Sequence, residues 1–82
     1  GNHTENTMTP HELITTLSRI TGTAPGAAQA SADMLGITYR ALMHYQAGAR
    51  AIPTPTARLV RILDWLRETG QLAAARPHLT DD

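Results

Sequence analysis

Threonine, proline and glycine punctuate this chain at nearly regular intervals, and the punctuation constrains its fold more than any other feature. Thr9-Pro10-His11-Glu12 has the chemistry of a helix start. The threonine hydroxyl can accept a first-turn N–H, the proline lacks only a donor that has no partner there, and Glu12 completes a capping box. Gly22 supplies the left-handed residue that ends such a helix. Thr23-Ala24-Pro25 then signals a second segment from Ala27 to Leu35 ending at Gly36, and Thr38 caps a third from Tyr39 to about Ala47, closed by Gly48. Thr54-Pro55 opens a fourth, the longest, which stops at Thr69-Gly70.

Between these marks the apolar spacing is helical. Leu13, Leu17 and Ile20 share one narrow stripe at about 100° per residue. Leu59, Ile62, Leu63 and Leu66 cover an arc of about 100°, which predicts the core face of the fourth helix. Val60 and Trp65 fall on either flank of that arc and are expected outside the core. The expected fold is therefore all-α, a compact bundle of four to five short helices, the fifth being a turn at Leu72-Ala73-Ala74-Ala75 before Pro77. Residues 1–8 are polar and aperiodic and read as a loose arm, residues 9–70 as the domain, and residues 71–82 as a tail that frays or helps to join two copies.

Composition narrows the class. With 82 residues there is room for one small core, and with no cysteine there is neither a disulfide frame nor a thiolate metal site. Apolar runs of three or four residues cannot span a bilayer and no basic stretch leads into an apolar one, so a cytoplasmic protein without a membrane partner is expected. His3, His11, His44 and His78 lie on separate segments with no i, i+4 pair, so neither a metal nor another cofactor is expected. Serine occurs only at Ser18 and Ser31 and no carboxylate pair is buried by pattern, which argues against an enzyme.

A net charge of zero conceals an uneven distribution. Between Leu13 and Arg61 there are five arginines (Arg19, Arg40, Arg50, Arg58, Arg61) against one acid, Asp33, a net of +4. The other acids precede or follow that stretch, so a basic middle suited to a polyanion sits between acidic ends.

Two short helices joined by a glycine-containing turn of three residues have the geometry of a helix-turn-helix. The side chains around Gly36 suit it: small Ala32 where the helices cross, apolar Leu35 before the turn, and Ile37, Leu42 and Tyr45 to dock the second helix. Tyr39, Arg40, Met43, His44 and Ala47 are left as one outward face, and Met43 is expected to be exposed on it. Together with Tyr45-Gln46-Ala47-Gly48-Ala49-Arg50-Ala51-Ile52-Pro53, this set resembles the Cro and repressor-type helix-turn-helix regulators of phages and bacteria, whose domain is lambda-repressor-like, over roughly Leu13 to Leu66. The chain departs from the family pattern at Ala28, where glutamine is frequent and Gln29 follows one residue later. Ser31 stands where a larger apolar side chain is usual, and Gln46 where glutamate is frequent.

The resemblance implies a transcriptional regulator that places the helix at about residues 38–47 in the major groove of double-stranded DNA. Tyr39, Arg40, Met43 and His44 are then the candidates for base contacts, with Arg40 suited to guanine and Tyr39 and Met43 to thymine methyls. Gln29, Thr38, Arg50 and Arg58 are candidates for phosphate contacts. One recognition helix covers half a site, so a homodimer on an inverted-repeat operator is expected, with Val60 and Trp65 at its interface. The alternative is a protein-interaction module or antitoxin that turns the same helical surface toward another protein.

Overall fold

The structure is a computed structural model that describes residues 8–79. It is an all-α bundle of five helices: α1 (Pro10–Thr21), α2 (Ala27–Leu35), α3 (Tyr39–Ala47), α4 (Thr54–Glu68) and α5 (Leu72–Ala75), followed by a 3-10 turn at Arg76–His78. Leu13 of α1, Leu42 of α3, and Val60 and Leu63 of α4 are the largest wholly buried side chains and mark the centre of the core. α1 packs against α2, α3 and α4, and α5 folds back against α4. No helix among the described residues is long and apolar enough to cross a membrane.

The local chemistry at the helix ends explains their positions. Thr9 Oγ1 accepts from the Glu12 N–H at 3.1 Å and Pro10 occupies the first turn, as the sequence predicts. Only half of a capping box forms, because the Glu12 carboxylate turns to Arg61 of α4 at 3.6 Å. The second helix is entered differently: Gly26, at φ 90°, stands at its N-cap and no side chain caps it.

Met8 corrects the expectation of a loose arm up to residue 8. It is 4% exposed and belongs to the core cluster with Leu13. Met8 precedes the cap residue and Leu13 is the fourth helical residue, the two positions of a hydrophobic staple that fixes the chain's entry into a helix. The remainder of that arm, residues 1–7, lies outside the described residues, as do residues 80–82 of the tail.

The second correction concerns the rotation of α4. Its buried side chains are Ala57, Val60 and Leu63, whereas Ile62, expected in the core, is 53% exposed. Val60 is 0% exposed and therefore cannot belong to an interface with another copy. Leu59 and Leu66 are half-buried at the edge of the core. The apolar arc read from the sequence was centred on this edge, whereas the buried side is centred on Val60 with Ala57 and Leu63 on either side of it.

The unusual Ser31 also has a structural reason. It is buried and pairs with Thr21 of α1 at 2.9 Å between the hydroxyl oxygens. Thr21 donates its single hydroxyl proton to the Leu17 carbonyl at 3.0 Å, so Ser31 is the donor to Thr21. This bond ties α1 to α2. Ser31→Ala is expected to cost about 1 kcal/mol, measured as a lower denaturant midpoint with unchanged slope.

An ion-pair cluster joins the outer edges of α1 and α4. Asp64 meets Arg19 at 3.2 Å and Arg67 at 3.0 Å. Partial burial works against the charged Asp64 carboxylate, but hydrogen bonds from Arg19 and Arg67 outweigh it and hold its pKa below the usual carboxylate value. A depressed folded-state pKa contributes stability above the unfolded value of about 3.9, and that contribution is lost as pH falls through the folded value. Asp64→Asn is accordingly expected to lower the urea midpoint at neutral pH, with the two proteins converging in acid. A pH-independent difference would remove the ion pairs as its cause.

Candidate nucleic-acid interface

α2 and α3 are joined by Gly36-Ile37-Thr38. Gly36 stands at φ 70°, a left-handed conformation that costs an L side chain roughly 1–2 kcal/mol. Its N–H donates to the Ala32 and Asp33 carbonyls, and the Ile37 N–H reaches the Ala32 carbonyl at 3.1 Å, so the end of α2 is satisfied internally. Ala32 is wholly buried where the two helices approach.

Thr38 begins α3. Its Oγ1 accepts from the Ala41 N–H at 3.0 Å and its carbonyl from the Leu42 N–H at 3.1 Å. The hydroxyl proton of Thr38 is not used by that cap. The N–H groups of Tyr39 and Arg40, in the first turn of the helix, have no intrahelical acceptor and point toward the positive end of the helix dipole. Both residues are exposed, so this end of α3 presents donors and partial positive charge to solvent.

The two faces of α3 separate as expected. Leu42 and Tyr45 are buried. Arg40 and Ala47 are exposed at the middle of the opposite face, and Tyr39 is 48% exposed at its edge. Met43 and His44 flank that midline and are half-buried. Met43 thus departs from the expected exposure: from the flank of α3 its side chain packs partly against the core. At the far end, Gly48 closes the helix at φ 79° and the Ala49 N–H returns to the His44 carbonyl at 2.9 Å, which leads the chain into the loop bearing Arg50.

The structure redistributes the basic middle. Arg19 is neutralised by Asp64, and the hydrogen bond it donates to that carboxylate raises the arginine's pKa further. Arg61 pairs with Glu12. Arg40, Arg50 and Arg58 have no carboxylate within ion-pair distance among the described residues. All three are exposed. They lie on α3, on the loop that follows it and on α4. Arg58 sits on the outward side of α4, opposite Ala57 and Val60, and is thus grouped by its helix with Ile62 and Trp65.

Gln29 is exposed on α2, where its Nε2 donates to Asp33 Oδ1 at 3.0 Å. Any phosphate at Gln29 has to displace that bond and tolerate the neighbouring carboxylate, whereas Thr38 and Arg50 face neither obstacle. Trp65 is 55% exposed and is not covered by α5.

Compared with protein-family models, curated proteins and solved structures, the chain matches none.

Proposed function

We propose that this protein binds double-stranded DNA in a sequence-specific manner as a small transcriptional regulator, with α3 of a helix-turn-helix entering the major groove. The observation that carries this reading is the outward face of α3, where an arginine without an acidic partner among the described residues stands in a first turn that also offers unused backbone donors. Arg40 pairs with the O6 and N7 of a guanine, Tyr39 packs on a thymine methyl, and the half-buried Met43 and His44 contact bases at the edges of the footprint. Thr38 donates its hydroxyl proton to a phosphate while still capping α3, and Arg50 neutralises a second phosphate. Gln29 and Arg58 are more peripheral phosphate contacts.

One α3 reads half a site, so two copies act on two half-sites spaced about one helical turn, roughly 34 Å, apart. The test is selection from randomised duplex DNA followed by sequencing of the bound fraction. Recovery of an inverted repeat supports the proposal. Weak, salt-sensitive binding with no enriched sequence overturns it in favour of a protein-interaction module, because electrostatic attraction to phosphates alone carries no sequence information.

A further inference from the structure

The side of α4 that faces away from the core has a spacing that its buried side does not require. Arg58, Ile62, Trp65 and Thr69 are separated by four, three and four residues, the pattern of one seam of a coiled coil. Ile62 and Trp65 at its middle are 53% and 55% exposed, the two most exposed large apolar side chains among the described residues. One flank of the seam carries Leu59 and Leu66, both half-buried, and the other carries Arg61 and Glu68, of opposite charge and seven residues apart.

We infer that this seam pairs α4 with α4 of a second copy of the chain, antiparallel and about a two-fold axis between Leu63 and Asp64. In that register Ile62 lies opposite the partner's Trp65, and Arg58 opposite the partner's Thr69. Antiparallel helices bring like flanks together, so Arg61 meets the partner's Glu68 and Leu59 approaches the partner's Leu66, each contact made twice as two-fold symmetry demands. A parallel pair faces Arg61 and Glu68 with the leucine flank instead, which leaves both charges without a partner. The antiparallel arrangement is the one for which the surface is complementary to itself.

Present commitments do not block it. Arg61 reaches Glu12 only at 3.6 Å and Glu68 reaches Arg67 only at 3.7 Å, and exposed pairs of this kind are weak and exchangeable. Trp65 supplies the aromatic area that dominates small interfaces. Arg58 gains an alternative to phosphate, since its place on the seam sets it at the rim of the contact.

This inference extends the two-copy reading of the proposed function, and its test contains no DNA, so pairing and DNA reading fail independently. Sedimentation equilibrium of the full chain across the micromolar range is expected to show a monomer–dimer equilibrium. Trp65→Glu is expected to weaken it at least about tenfold while the helical circular dichroism is retained. Arg61→Glu and Glu68→Arg each place like charges together and weaken pairing at low salt, and the double variant restores it. Glu12→Gln, which removes only the intrachain partner of Arg61, leaves pairing intact. A wild-type protein that stays monomeric, a dimer indifferent to Trp65→Glu, or a double variant no better than either single one overturns the inference.

Discussion

Arg40→Ala is expected to weaken binding to the selected operator by roughly tenfold to a hundredfold, and to relax the preference at one base pair per half-site. The size follows from the geometry of the contact. A guanidinium that donates two parallel hydrogen bonds to guanine discriminates against other bases by about 1–3 kcal/mol, and alanine can make neither bond. Nothing in the fold compensates for or depends on this side chain, since Arg40 is exposed and forms no ion pair among the described residues. Arg50→Ala provides the contrast. A lost phosphate contact lowers affinity for all sequences alike and reduces the slope of log affinity against log salt by about one, whereas Arg40→Ala changes the sequence profile more than the slope. Fluorescence anisotropy with operator and scrambled duplexes at two salt concentrations separates the two. An Arg40→Ala protein that keeps the wild-type profile would remove Arg40 from the base-reading face.

How much of this was legible in the sequence depends on how local the cause is. Helix boundaries were legible where a cap involves neighbouring residues: Thr9 meets Glu12 at the start of α1, Thr38 meets Ala41 at the start of α3, and Gly36 and Gly48 adopt their left-handed conformations at the ends of α2 and α3. The division of α3 into a buried Leu42–Tyr45 side and an exposed Arg40–Ala47 side was legible for a similar reason, since helical spacing fixes which side chains share a face. The charge pattern was legible only in sum. That Asp64 neutralises Arg19 from 45 residues away is a property of how α1 and α4 pack, and it is this packing that singles out Arg40, Arg50 and Arg58. Met8 was missed because its burial depends on Leu13 across a cap, a staple that the polar residues before it obscured.

The rotation of α4 was misread for a different reason, which yields the second prediction. Its apolar side chains serve two surfaces: Ala57, Val60 and Leu63 the core, Ile62 and Trp65 the outside, with Leu59 and Leu66 between them. An apolar stripe averaged over both surfaces points between them, at a face that is neither. The two assignments make opposite predictions for one pair of substitutions. Val60→Asp puts a carboxylate where the side chain is 0% exposed within the apolar core cluster, at a cost of several kcal/mol, comparable with the total stability of about 5 kcal/mol available to a small domain. Ile62→Asp puts the same carboxylate on a side chain 53% exposed, where a change of about 0.5 kcal/mol or less in the isolated fold is expected. Thermal melts followed by circular dichroism at low protein concentration should therefore show no cooperative transition for Val60→Asp and a near-wild-type one for Ile62→Asp. The reverse result would restore the sequence-derived arc. It would also return Val60 to the surface and dismantle the seam, because a helix turned to bury Ile62 no longer presents it beside Trp65.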